Sequence, residues 1–240
     1  FTRRRGGEVP DLQVKQYGLA LGGPILRDRL HFFGTYERKE EDRASQVNLG
    51  RQDPRFVAQF GEFIGTFATP FEEDLYFGKL SWQPADGHLV DWSVTYRDEL
   101  DIRDIGGANT FERATNLAQK TIGSNIRWQW QTDSFLNELA VDYRNYQFNP
   151  GALNFSEVGE LYRLFENDTN PTAPGFQPDF FGGTAIVNLG GRDSTQDIED
   201  NAVTIRNDLT FTEVEFNGFH TIKVGAKISF QNYVVNKFFG

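Results

Sequence analysis

Along most of the chain, apolar and polar residues alternate with a period of two, and helical spacing is hard to find. The pattern predicts eight strands, near residues 14–23, 29–37, 74–83, 88–98, 120–131, 135–147, 201–212 and 219–233. From the fourth strand on, two faces separate. The fourth sets Val90, Trp92, Val94 and Tyr96 against Asp91, Ser93, Thr95 and Arg97. The fifth sets Ile122, Ile126, Trp128 and Trp130 against Asn125, Arg127, Gln129 and Gln131. In the sixth, Phe135, Leu139, Val141 and Tyr143 oppose Glu138, Asp142 and Arg144. In the seventh, Val203, Ile205, Leu209 and Phe211 oppose Thr204, Arg206, Asp208 and Thr210. The eighth sets Ile222, Val224, Ala226, Ile228 and Phe230 against Thr221, Lys223, Lys227 and Ser229. No charge falls on these five apolar faces; Ser124, Asn137 and Asn207 are their polar exceptions.

The connections alternate too. Those near 24–28, 84–87, 132–134 and 213–218 are short, and two carry turn residues, PADG and FNG. Those near 38–73, 99–119 and 148–200 are long and rich in Gly, Pro, Asn, Asp and Phe. Loops beyond about 12–15 residues are unusual in compact domains, and all three leave the same end of the strands.

Three architectures alternate in this way. A soluble β-sandwich packs its apolar faces on a second sheet. A β-propeller repeats every ~40–50 residues, and no such repeat is visible. A transmembrane β-barrel turns its apolar face to lipid and its polar face to a wet lumen, with short turns at one end and long loops at the other. Strand length, loop asymmetry and ring placement favour the barrel. Trp82, Trp130, Phe135, Phe211 and Phe219 lie near short turns, whereas Tyr36, Tyr76, Tyr96, Tyr146 and Tyr233 lie near long loops, as two interfacial girdles would. A charge on the lipid face at mid-depth costs roughly 2–4 kcal/mol, which accounts for the empty charge column. The expected fold is all-β, an antiparallel up-and-down transmembrane barrel, present here as a partial barrel of about eight long strands with short turns at one end and long loops at the other.

Composition narrows the classes further. Hydrophobic residues make up 38% of the 240, yet aromatics reach 15%, with 23 Phe, an odd balance for a soluble enzyme. A net charge of −10 argues against a nucleic-acid partner. The absence of cysteine excludes disulfides and thiolate chemistry. No apolar run reaches the ~20 residues that a membrane helix needs. His31, His88 and His220 each sit at or just after a short turn, as amphipathic residues at an interface do. No metal or other cofactor is assigned.

The stretch QYGLALGGPILRDRLHFFGTYE, residues 16–37, resembles the early barrel of TonB-dependent outer-membrane receptors, particularly the Oar-like group. The matching residues are Gly18, Leu21, Gly22, Gly23, Pro24, Asp28, Leu30, Phe32, Phe33, Tyr36 and Glu37; FGKLSWQP (77–84), LNEL (136–139) and HTIKVGAKISF (220–230) echo it in order. In the hairpin, Gly22 and Gly23 are expected to bend the backbone tightly. The resemblance implies a transporter in the outer membrane of a Gram-negative bacterium, with outer-membrane lipid around it and an extracellular solute as cargo. It also implies the TonB complex as partner, reached through a plug domain, and a barrel of about 22 strands. Short turns then face the periplasm. Residues 1–13 form an extracellular lead-in, and 14–240 the partial barrel. With no methionine and both ends on the outer side, the chain is expected to be an internal piece of a longer protein.

Candidate chemistry lies on the polar face. Asp91, Arg97, Arg127, Glu138, Asp142, Arg144, Arg206 and Asp208 are the lumen-facing candidates for ligand contact, with Lys223 and Lys227 beside them. Mixed signs at neighbouring positions equally describe a cross-strand ion-pair ladder. Loop rings (Phe56, Phe60, Phe63, Phe176, Phe180 and Phe181) compete for the ligand-catching role on mobile loops. No catalytic residue is assigned. The paired acids Glu72-Glu73 and Glu199-Asp200 are adjacent on the chain and so point apart, GGRDSTQDIED (190–200) and NDTNPT (167–172) lack calcium-loop spacing, and Ser93 and His88 have no helper group. The other readings are a soluble extracellular binding or adhesion sandwich and a small closed outer-membrane barrel.

Overall fold

The computed structural model describes residues 12–50, 54–155, 162–166, 184–192 and 194–239. In chain order the elements are β1 (Gln13–Leu26), β2 (Leu30–Asp42), β3 (Ala44–Val47), α1 (Pro54–Phe60), β4 (Gly65–Ala68), β5 (Phe71–Trp82) and β6 (His88–Arg103). There follow β7 (Thr115–Gln131), β8 (Phe135–Ala152), β9 (Tyr162–Glu166), β10 (Thr184–Leu189), β11 (Ser194–Glu215) and β12 (Phe219–Phe239). Eight of the strands form one sheet in the order β1-β2-β5-β6-β7-β8-β11-β12, every neighbouring pair antiparallel. These are the eight predicted strands. Their pairing follows chain order, so the sheet is an up-and-down meander. β1 and β12 are its edges and do not pair with each other, which rules against the small closed barrel.

The strands run longer than their alternation. β2 continues to Asp42, β6 to Arg103 and β8 to Ala152, while β7 begins at Thr115 and β11 at Ser194. In these extensions, such as RKEED and DELDIR, charge occupies both faces, so the polarity signal stops while backbone pairing goes on. The long connections shrink accordingly.

The first hairpin corrects one expectation. Gly22, Gly23 and Pro24 form no turn; β1 runs through them and reverses at 27–29, where Asp28 has φ 59°. Pro24 pairs with His31 next to a register shift on the sheet's edge strand, where a missing N–H is tolerated. Gly22 instead makes room for the Phe33 ring, since a Cβ there would lie 2.9 Å from it.

The sheet itself buries little. The tightly packed cluster (Leu49, Phe56, Phe60, Ile186 and Val187) sits among the long connections, with Phe63, Ile64 and Leu189 against it. Backbone bonds join the three connections there: Asn48 N–H donates to Gly107 O (2.7 Å), Gly50 N–H to Ile186 O (2.8 Å) and Asn188 N–H to Ala108 O (2.7 Å). The loop regions thus share a cap with its own core.

Candidate functional site: the two faces of the wall

Register decides which side chains share a face, because directly paired residues point the same way. One row crosses the whole sheet as Gly23, Phe32, Leu80, Trp92, Ile126, Val141, Ile205 and Ile228. The next row toward the long loops is Leu21, Gly34, Gly78, Val94, Ser124, Tyr143, Val203 and Phe230. This apolar face is open: Trp92 is 44% exposed, Ile126 45%, Ile228 58% and Phe230 63%. On the opposite face Glu99 and Asp200 are each 8% exposed. Carboxylates are thus more sheltered than isoleucines. Among the described residues no second layer covers Val94, Ile126, Val141, Ile205 or Val224, none of which is buried, so a β-sandwich does not fit. An inverted polarity of this kind is stable when hydrocarbon solvates the apolar side.

Aromatic rows bound that side. Tyr36, Tyr76 and Tyr96 lie in one row, ring centroids 4.8 and 6.0 Å apart. Toward the short turns, Trp82, Trp128, Trp130, Phe135 and Phe211 point the same way, and the His88 ring is stacked against Trp128 and Trp130. On β7 the eight steps from Ile122 to Trp130 cover about 27 Å of strand. At a 35–45° tilt that is roughly 19–22 Å of depth, near the ~25 Å apolar band of such walls. Three predicted girdle residues face the other way: Phe219 falls in step with Thr221 and Lys223 on β12, and Tyr146 and Tyr233 share a row with Arg97 and Asp200. The position of the two tyrosines near the long loops conceals their parity.

Directly above the tyrosine row the apolar face turns ionic, with Arg38, Asp74, Asp98, Lys120 and Glu199 in the next row. Arg38 contacts Glu40 (2.7 Å), Glu72 (2.8 Å) and Asp74 (2.8 Å). The charge-free column therefore ends where the tyrosines mark the slab's edge. On β2 the charge after Tyr36 marks this exit in the sequence itself; on the other strands the ionic residues lie at or beyond the ends of the predicted strands.

All eight predicted site residues share the sheltered face. Asp91 meets Lys79 (3.2 Å) and accepts from the Ser81 hydroxyl (2.5 Å). Arg97 bridges Glu73 and Glu99. Arg127 pairs with Glu138, which also accepts from Gln129 (3.1 Å). Lys223 lies 3.5 Å from Asp208 and 4.0 Å from Glu138, and Arg206 lies 3.5 Å from Asp208. Asn125 donates to Asp142 (2.6 Å), and Arg144 meets Asp200 (2.5 Å). The eight residues lie on four strands, six with their partners, in short cross-strand links that do not converge on one point. A hollow of about 570 Å³ at mid-height brings Asp142 and Arg144 together beside Asn125, Gln231, Thr95 and Gly123. Glu99, Asp101 and Asp200, absent from the predicted set, are the buried acids of this face, and Glu73 is nearly as sheltered.

The remaining candidates separate. Glu72 joins Arg38 on the apolar side while Glu73 joins Arg97 on the ionic side, and Glu199 and Asp200 divide likewise. Ser93 and His88 lie on opposite faces. Phe56 and Phe60 are each 6% exposed within the cap's core, so they hold the loops together and are not presented to a ligand. Phe176, Phe180, Phe181 and the NDTNPT segment lie outside the described residues. Among the described residues, no three His, Asp or Glu side chains gather in metal-holding geometry.

Comparison with known proteins gives the same setting. Residues 1–56 match the family model described as outer membrane beta barrel domain, a span that includes the glycine-rich hairpin. The fold is similar to that of the outer membrane transporter YddB from Escherichia coli, with a TM-score of 0.59 at 16% identity over 94% of this chain. The chain spans 26% of the length of that structure. A search of curated proteins by sequence finds no match. The sheet has the fold of an open section of a β-barrel wall, and its first hairpin is similar to an outer membrane beta barrel domain.

Proposed function

We propose that this chain forms part of the barrel of a TonB-dependent receptor that carries a scarce, bulky solute from outside the cell into the periplasm. The observation that supports this most is the inversion of polarity: ion pairs with sheltered carboxylates on one face, exposed isoleucine, phenylalanine and tryptophan on the other. A wall of that kind separates lipid from a wet passage. The receptor-like hairpin and the likeness to an outer membrane transporter add to it.

In this reading the long connections face outward, and the capped loop cluster presents the first surface that solute meets. The ladder from Asp91 to Lys223 lines the passage, holds neighbouring strands in register and gives a plug domain a polar wall to seat on. Solute moves when the TonB complex pulls on the plug. The chain itself performs no catalytic step and holds no cofactor.

The test is association of the full-length protein, in lipid vesicles, with the purified periplasmic part of TonB. A one-to-one complex is expected. A protein that stays folded in vesicles but never binds TonB refutes the energised mechanism and leaves an outer-membrane barrel of another kind. One that is monomeric and folded without detergent or lipid refutes the wall itself.

A further inference from the structure

The outward face has one gap that the chain's own packing does not explain. Gly34 on β2 and Gly78 on β5 are direct cross-strand partners, and both point outward in the row that also carries Leu21, Val94 and Phe230. Neither is needed for the backbone. Neither has φ in the left-handed region, a Cβ at Gly78 would meet nothing within 4 Å, and one at Gly34 would only touch the Phe77 carbonyl at 3.8 Å. Glycine inside a strand forgoes side-chain packing and costs backbone order relative to alanine. Two in register leave a bare patch of backbone where every surrounding row carries a large side chain.

The patch is the floor of an apolar hollow of about 400 Å³. Leu21 and Val94 wall it laterally, Phe32 closes it toward the short turns, and Tyr36, Tyr76 and Tyr96 close it toward the long loops. Its volume is at the low end of the ~300–1,000 Å³ typical of small-ligand clefts. Two of its three tyrosine hydroxyls are already engaged, Tyr36 donating to Asp74 (2.7 Å) and Tyr96 to Asp98 (3.0 Å). Just beyond these hydroxyls begins the ionic row with Arg38 and Lys120. Interfacial tyrosines followed by charge mark the headgroup level.

From this juxtaposition we propose that the Gly34–Gly78 notch is a binding site for a single lipid acyl chain, held against bare backbone below the tyrosine row. Its headgroup lies level with Arg38 and Lys120. The proposal rests on the outward face being the lipid face, and on the long loops facing outside for its placement in the outer leaflet. A flexible saturated chain suits the site because its contacts there are dispersion and fit alone.

The test uses the full-length protein in phosphatidylcholine vesicles doped with a phosphatidylcholine carrying a diazirine in its acyl chain. After irradiation, adducts are mapped by peptide mass spectrometry. Adducts several-fold denser at Leu21, Phe32 and Val94 than at Ile205, Ile228 and Phe230 are expected, and they should fall to the level of the latter in Gly78→Leu. Should that variant fail to fold, the adduct map of the unaltered protein decides alone, with Gly34→Ala as a milder filling of the notch. Even labelling of the outward face means bulk lipid only and overturns the inference while the wall stands. Protein–protein products at the notch in place of lipid adducts also overturn it. Labelling that favours the ionic face overturns the wall and the inference together.

Discussion

Thr204 and Ile205 are neighbours in the middle of β11, at one depth and on opposite faces. Placing arginine at each in turn tests the assignment of the faces with composition and position held nearly constant. Ile205 lies between Val141 and Ile228 and is 42% exposed. An arginine there enters hydrocarbon near its midplane, at a cost of about 2–4 kcal/mol, a roughly 30- to 700-fold loss in the folding constant. Thr204 lies directly opposite Asp142 and beside Ser229, with hydroxyl oxygens 3.0 Å apart. An arginine there loses one exposed hydrogen bond, about 0.5–1.5 kcal/mol, and gains an opposite-charge cross-strand pair of about 0.2–1 kcal/mol. The two nearly cancel. Denaturant unfolding of the full-length protein in vesicles should show the Ile205→Arg midpoint well below the parent and Thr204→Arg within about 1 kcal/mol of it. Equal losses at both sites, or a larger loss at Thr204, refute the reasoning, because in water on both sides the exposed Ile205 would tolerate charge as readily as its neighbour.

Other outcomes follow from the same geometry. Glu138→Gln removes the carboxylate shared by Arg127 and Lys223; a double-mutant cycle with Arg127→Gln should return a coupling of about 0.5–1 kcal/mol that shrinks with added salt, and a coupling of zero would dismiss the ladder as a stabilising device. Phe60→Ala in the cap's core should speed amide exchange at Asn48, Gly50 and Gly107 but leave the amides of β6 unchanged; a uniform change would mean that cap and wall open together. Residues 1–240 produced alone should self-associate in detergent through β1 and β12, since each edge presents unpaired backbone groups, and a proline in place of Ile228 on β12 should weaken that association as measured by light scattering.

How much was readable beforehand follows from where polarity alternates. Trp92, Ile126 and Ile205 announced the lipid face because their neighbours Asp91, Arg127 and Arg206 are ionic, and β6, β7 and β11 were placed within a few residues over that span. The signal faded at Arg38, Asp98 and Lys120, where the strands leave the slab and both faces carry charge although pairing persists. Tyr146 and Tyr233 lie near long loops as a girdle would, but their parity with Arg144 and Gln231 turns them to the ionic face. The loop core of Leu49, Phe56, Ile186 and Val187 joins residues more than 120 positions apart, and no local pattern marks such a meeting. The eight ionic candidates were placed on the correct face, yet their partners Glu73, Glu99 and Asp200 became visible only with the register. The Gly34–Gly78 pair was invisible for the same reason.

The knitted cap has a bearing on how such a surface changes over generations. Because segments from separate connections lean on one another through Asn48, Gly107, Ile186 and Asn188, an insertion in one of them alters the footing of its neighbours. Recognition at this end of the wall should therefore diversify in coordinated steps, with loops replaced as a set. Grafting one connection from a relative would import a piece of a joint without its mate.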